Sequence, residues 1–64
     1  MVSLPDAIMA VAKPEEMLWY RDKDGAVVSG RPIAADETGV VLSDNTVLSL
    51  RHVSLREEDV LRSV

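Results

Sequence analysis

Few residues in this 64-residue chain are of the types that carry out chemistry. His52 is the one histidine and the chain has no cysteine, so the other ligands of a metal site within one chain would have to be carboxylates. A histidine at the end of a half-buried strand, with one ring nitrogen hydrogen-bonded, is the simpler interpretation. We therefore predict neither a metal site nor a cofactor.

Two further groups of residues match parts of known sites without completing them. Asp22, Asp24 and Gly25 follow part of a calcium-binding loop, but the later ligand positions and the closing Glu are missing, so a hairpin turn is the better interpretation. Ser29 lies beside Gly30, yet no nucleophile-elbow motif surrounds it. We predict that the chain is not an enzyme.

The charge balance limits the classes of partner. The formal net charge is -4, which argues against duplex DNA, because affinity for a phosphate backbone comes largely from Lys and Arg. Arg21, Arg31 and Arg51 lie in or beside predicted strands, which is compatible with a local basic patch. The chain has no apolar run of about 18 residues, so we expect no membrane partner. The lack of cysteine favours a cytoplasmic protein.

The length allows one small domain, residues 1–64. A folded domain of about 60 residues hides only roughly 60% of the surface of its unfolded chain, so its core is marginal. With no disulfide to compensate, self-association would supply the missing stability. The aromatic residues are Trp19 and Tyr20 alone, and they alternate across one predicted strand. We expect Trp19 in the core and Tyr20 at the surface.

The N-terminal segment 3–12 is predicted to be a helix. Ser3 can cap it, and Lys13 followed by Pro14 marks its end. Residues 7–12 are apolar all round, so the helix should pack over the open end of a barrel or against another subunit. A buried strand is the alternative interpretation of this short apolar run.

After residue 16 the pattern changes to short strands and turns. Gly30 and Pro32 lie inside the second predicted strand and indicate a bend or bulge there. The C-terminal segment is ambiguous, because Ser54 and Glu57 fit a capping box for a helix over 55–63, whereas 53–56 could equally form a last strand. The other predicted strands are 17–21, 26–34, 40–42 and 47–50.

The hairpin formed by the last two of these strands is apolar on both faces. If residues 44–45 form a two-residue loop, Leu42 lies opposite Val47 and Val41 lies opposite Leu48. A half-solvated sheet should instead alternate apolar and polar residues. The second face of this hairpin therefore requires a helix or a neighbouring chain to cover it, which again indicates a homo-oligomer.

A helix followed by five short strands with this glycine spacing resembles the Sm, Lsm and Hfq superfamily of small barrels, which assemble into rings and bind RNA. The resemblance spans residues 4–56 and predicts a mainly β fold, a small Sm-like (SH3-like) barrel of about five short strands with an N-terminal α-helix. The residues that carry it are Gly25, Gly30, Asp36, Leu50, Arg51 and His52.

The resemblance implies a ring with an RNA-binding pocket formed by Asp36, Thr38, Arg51 and His52. Val40 stands where the family places a base-binding Asn, and Thr38 is a poor platform for stacking on a base. The expected function is therefore that of a non-catalytic ring protein with weak or selective binding to single-stranded RNA, and with no binding to duplex DNA.

In Sm-like rings the last strand of one subunit pairs with the fourth strand of its neighbour. The residues expected at this contact are Val40, Leu42, Val47, Val53 and Leu55. The alternative function is an SH3-like protein-interaction or regulatory module whose acidic surface meets a basic partner without binding RNA.

Overall fold

A helix precedes five short strands in the computed structural model, which describes residues 2–62. A 3₁₀ helix and a short second α-helix follow the strands, and the mainly β prediction with an N-terminal helix is confirmed. In chain order the elements are α1 (Leu4–Ala12), β1 (Leu18–Arg21), β2 (Val27–Gly30), β3 (Pro32–Asp36), β4 (Gly39–Leu42), β5 (Val47–Leu48), the 3₁₀ helix Leu50–His52 and α2 (Glu57–Arg62).

Helix α1 begins where the capping signal places it. The Ser3 side-chain oxygen accepts a hydrogen bond from the Asp6 N–H at 3.3 Å, which satisfies one of the unpaired donors of the first turn. At the other end Lys13 is extended, and its N–H bonds to the carbonyl oxygens of Met9 and Ala10. The helix prediction is confirmed, and the alternative of a buried strand is wrong.

The strands form two antiparallel sheets. One contains β1 and β2, and the other has the order β3-β4-β5. Arg31 alone separates β2 from β3, so the bend expected at Gly30 and Pro32 divides the long predicted strand in two. A Cβ atom at Gly30 would lie 2.7 Å from Leu42 Cδ1, so a larger residue at this bend would displace the buried Leu42 side chain.

The hairpin of β4 and β5 has a three-residue loop, not the expected two-residue one. Val41 pairs with Val47, one residue away from the predicted register. The Leu42 N–H donates to the Thr46 carbonyl at 2.8 Å, and Asn45 closes the loop with a φ of 71°, a conformation that Asn tolerates better than most residues.

This one-residue shift exchanges the two faces of β5, because side chains alternate along a strand. Leu48 now lies opposite Val40 and packs against the core, while Val47 lies on the outer face beside Val41. The hairpin therefore buries one apolar face within the subunit and exposes the other.

The chain turns away from the sheet after Leu48, where the sequence predicted strand to Leu50. The His52 N–H donates to the Ser49 carbonyl at 2.9 Å and forms the 3₁₀ turn. Ser54 then pairs with Trp19 of β1 through two backbone bonds of 2.8 and 2.9 Å.

The two C-terminal predictions are each correct in part. Within the described residues the predicted strand 53–56 is reduced to the bridge at Ser54. Helix α2 begins at Glu57, two residues later than predicted, because the Ser54 backbone is paired with β1. Residue 63, the predicted end of the helix, lies outside the described residues.

The core lies between α1 and the strands. Helix α1 packs against β3, and α2 packs against β1 and β2. On β1, Leu18 is fully buried and Tyr20 packs against the core, whereas Trp19 is only partly buried beside Ser54, so the expected orientation of the two aromatic residues is wrong. The buried cluster comprises Val2, Ala7, Ala10, Leu18, Val40, Leu42 and Val53.

Candidate functional site

The turn between β3 and β4 holds two of the residues expected to bind RNA, and it binds them to each other. The Asp36 carboxylate accepts hydrogen bonds from the Thr38 N–H at 2.9 Å, the Thr38 hydroxyl at 2.5 Å and the Gly39 N–H at 3.2 Å. The hydroxyl bond, followed by the N–H bond from Thr38, holds the pKa of Asp36 below its usual value of 3.8. The Asp36 carboxylate therefore stabilises the turn between β3 and β4.

The other two hairpins use the same device. Asp22 Oδ1 accepts hydrogen bonds from the N–H groups of Asp24 and Ala26, at 2.9 and 3.0 Å. Asp44 Oδ1 accepts one from the Thr46 N–H at 3.0 Å, and hydrogen bonding to Thr46, the side chain foremost, lowers its pKa. The calcium-like spacing at Asp22 thus belongs to a hairpin turn, as predicted.

Sequence reasoning missed the common role of these aspartates, although a signal for it was present. Asp36 and Asp44 are each followed by Thr two residues later, the spacing at which an Asp side chain bonds the backbone of its own turn. Three of the eleven acidic residues therefore initiate hairpin turns. About a quarter of the acidic residues therefore have a structural role in turns.

Gly39 brings the Asp36 turn next to the segment that leads to Arg51 and His52, the other two residues expected to bind RNA. Its φ is 155°, and a side chain there would collide with the Leu48 carbonyl oxygen and lie 3.6 Å from the Ser49 Cα atom. Ser49 directly precedes the 3₁₀ helix with Arg51 and His52. The Asp36 turn and the segment with Arg51 and His52, which are far apart in sequence, thus lie in neighbouring loops.

Arg51 and His52 are both exposed on that 3₁₀ helix. The expectation of a half-buried strand at His52 is wrong, because the chain leaves the sheet at Ser49. Within residues 2–62 neither side chain makes a hydrogen bond or an ion pair. Arg and His side chains in this condition are available to phosphate or base oxygens.

The five expected interface residues fall into two groups. Val40, Leu42 and Val53 are almost completely buried in the core of their own subunit, so their side chains cannot reach a neighbour. Val47 is 69% exposed and Leu55 is 36% exposed. These two side chains are free to contact another chain.

Strand β5 also presents its backbone to the outside. The Leu42 N–H donates to the Thr46 carbonyl, so the backbone groups of Leu42 face β5 and the next pair, Val41 and Val47, belongs to the non-bonded type. The N–H and carbonyl of Val47 consequently face away from β4. On the outer sheet face, a shallow cavity of about 100 Å³ is lined by Ala34, Ala35, Asp36, Thr38, Gly39, Val41 and Val47.

Other classes of site receive little support from the described part of the chain. Residues 2–62 contain no group of three or more His, Asp or Glu side chains placed to hold a metal ion. No helix in the same range is long and apolar enough to cross a membrane. Comparisons with protein families, with curated proteins and with solved structures give no match. What the chain binds is therefore inferred from its own surfaces.

Proposed function

We propose that the chain is a non-catalytic, Sm-like small-barrel protein that assembles with copies of itself into a ring and binds single-stranded RNA weakly. One chain connection and one backbone bridge support a barrel. Strand β2 continues into β3 through Arg31, which links the two sheets, and Ser54 lies beside β1. The segments that form the barrel are then arranged in the order Ser54, β1, β2, β3, β4 and β5.

The observation that carries the assembly proposal is the open edge of β5. Val47 directs its N–H and carbonyl away from β4, where no described strand pairs with them, and its side chain is exposed beside them. An exposed strand edge of this kind is a template for pairing with another chain. Ser54 bonds to β1, so the backbone groups of Val53 and Leu55 lie on the side away from β1 and are suited to pair with it.

Such a contact joins two different surfaces of the same chain. Head-to-tail contacts of this type close into rings when the rotation between neighbours permits it. Val53 and Leu55 then contribute through their backbone, which agrees with the burial of the Val53 side chain. The contact therefore consists of backbone hydrogen bonds, which continue one sheet from subunit to subunit.

Val47→Pro tests this assembly. The Val47 N–H is not used in the pairing with β4, so proline removes only the outward donor and is tolerated on an edge strand. We expect the variant to remain folded by circular dichroism and to lose the ring in sedimentation analysis.

The matched control is Val47→Thr, which keeps the backbone donor and should keep the ring. A Val47→Pro chain that retains the wild-type mass would contradict the proposal. A wild-type chain that sediments near 7.0 kDa at all concentrations would favour the SH3-like interaction module instead.

RNA binding is proposed at the neighbouring loops that carry Arg51, His52 and the Asp36 turn. Asp36 and Thr38 shape this surface through the turn, while Arg51 and His52 supply the free polar side chains. One cationic side chain per subunit is a small number for a chain with a net charge of -4. We therefore infer weak binding that depends on several copies in one ring and falls as salt rises.

Arg51→Ala tests this surface against Arg62→Ala, an exposed arginine on α2. Fluorescence anisotropy with a short single-stranded RNA should show an affinity loss of at least about tenfold for Arg51→Ala, because one charged hydrogen bond is lost from each subunit that holds the RNA. Arg62→Ala should have little effect, and duplex DNA should not bind. Equal losses in both variants would place RNA binding elsewhere.

A further inference from the structure

Helix α1 exposes an apolar face that the fold leaves uncovered. Its inner residues Ala7 and Ala10 are buried, while Pro5, Ile8, Met9 and Ala12 are exposed on the other side. Those four positions follow the i, i+3, i+4, i+7 spacing of one helical stripe. On an ordinary surface helix this stripe would be polar, so the face is suited to contact another apolar surface.

The charged residues beside the stripe identify the partner. Within α1 and its C-terminal cap the charged side chains are Asp6 and Lys13, and both are exposed. They are seven residues apart, which places them about 20° from each other around the helix, on the same flank of the stripe. Their charges are opposite, and one lies near each end of the helix.

This arrangement is complementary to itself in one orientation. When two copies of α1 pack antiparallel about a two-fold axis, the Asp6 flanks of both helices lie on the same side of the contact. Asp6 of each copy then lies level with Lys13 of the other, and the helix dipoles oppose one another. A parallel pair would place the two charged flanks on opposite sides of the contact, so Asp6 of one copy would not meet Lys13 of the other.

We propose that α1 is a homodimer contact, in which the stripe of Pro5, Ile8, Met9 and Ala12 packs antiparallel against the same stripe of a second copy. This contact goes beyond the proposed ring, because it uses side chains of α1 and not the edge of β5. Copies joined by α1 can therefore link one ring to another.

A neighbouring cavity offers a place for a side chain of the second copy. It has a volume of about 120 Å³, and its apolar walls are Met9, Ala10 and Leu55, with Asp6, Lys13 and Glu16 around them. An apolar cavity of roughly 150 Å³ accommodates benzene, so this one matches an aliphatic side chain. Met9 lies on the cavity side of the stripe and Ile8 on the other, so Met9 of the second copy is the apolar side chain suited to enter the cavity.

The size of the surface sets the expected strength. Nine helical residues span only about 14 Å, so this contact is smaller than the roughly 1,200–2,000 Å² of a standard stable interface. The α1 contact should accordingly associate in the micromolar range. Multiple copies in a ring would strengthen it by avidity.

Met9→Lys tests the contact, with Leu61→Lys as the control. Both side chains are 53% exposed on a helix, so neither substitution removes core packing. Sedimentation of the Val47→Pro chain, which lacks the ring contact, should show a dimer. Met9→Lys in that background should raise the dimer dissociation constant at least tenfold, and Leu61→Lys should leave it unchanged.

Charge exchange gives a second test of orientation. Asp6→Lys alone should weaken the dimer, because it places two lysines together, and adding Lys13→Asp should restore it. Equal behaviour of the Met9 and Leu61 variants, or no rescue by the double exchange, would overturn the α1 contact. Failure of the ring appears separately, as an unchanged mass in Val47→Pro. If that variant does not fold, the Met9 and Leu61 comparison in the wild-type chain decides the matter.

Discussion

At the scale of single residues, the acidic side chains explain more of the structure than of the function. Asp22, Asp36 and Asp44 each accept backbone hydrogen bonds within a hairpin turn. The sequence pattern placed these aspartates in turns, but the resemblance assigned Asp36 to an RNA pocket. The Thr two residues after Asp36 is a signal for the bond from the Thr38 N–H, but the further bonds from the Thr38 hydroxyl and the Gly39 N–H have no such signal in the sequence.

Asp36 should make the fold sensitive to acid. Its folded-state pKa is lowered by the Thr38 hydroxyl and N–H bonds, so the carboxylate stabilises the fold fully above the ordinary value of 3.8. That contribution is lost as the pH falls through the folded-state pKa. Denaturant unfolding at neutral pH and at about pH 3 should show a smaller loss of stability for Asp36→Asn than for wild type.

Thr38→Val is the matched variant for this effect, since it removes the hydroxyl donor and keeps the N–H. It should reduce the acid sensitivity only in part, because one of the two stabilising bonds from Thr38 survives. An acid dependence that is identical in wild type and in Asp36→Asn would show that the turn does not control it.

At the scale of elements, local signals predicted which elements form better than how they pair. The Ser3 cap and the Asp-containing turns identified α1 and the hairpins from a few adjacent residues. The register of β4 and β5 was wrong, because residues around Asp44 are compatible with loops of two or three residues. The loop length depends on whether Leu48 packs against the core, and the residues near the turn do not indicate that packing.

Helix α2 should contribute to stability through one side chain. Val60 is 6% exposed and α2 packs against β1 and β2, whereas the adjacent Leu61 is 53% exposed. Val60→Ala should lower the free energy of unfolding by about 1–2 kcal/mol, from the lost burial and the cavity left behind. Leu61→Ala should change it by less than about 0.5 kcal/mol, as is usual for a surface position.

Urea unfolding with both variants measures the difference. Equal effects would mean that α2 is not held against the sheet. Deletion of residues 58–64 does not test α2 as an interface, because it also removes Val60 and so destabilises the subunit itself. A loss of assembly on that deletion would not distinguish an interface from a folding defect.

At the scale of the whole molecule, the small core and the exposed apolar surfaces belong together. A domain of about 60 residues hides a smaller fraction of its surface than a larger domain does, and seven large hydrophobic side chains of the described residues are exposed. Composition predicted this shortage of core, and hence self-association, without indicating which surfaces would meet. The sequence had already indicated Val47 and the N-terminal helix as contact regions, but the open edge of β5 and the side of α1 that is exposed could be seen only in the fold.

Stability should therefore depend on protein concentration. A contact that forms only between folded copies stabilises them by up to about 2.7 kcal/mol at a hundred times its dissociation constant. For a domain of this size, each kcal/mol corresponds to roughly 4–8 °C in melting temperature. Scanning calorimetry should show the wild-type midpoint rising by about 10 °C or more across that concentration range.

The variant that combines Val47→Pro with Met9→Lys lacks both proposed contacts and should melt at one temperature at all concentrations. Each single variant keeps one contact and should give an intermediate slope. A concentration-dependent midpoint in the double variant would require a third contact surface. A wild-type midpoint independent of concentration would mean that the exposed faces of α1 and β5 serve partners other than this chain.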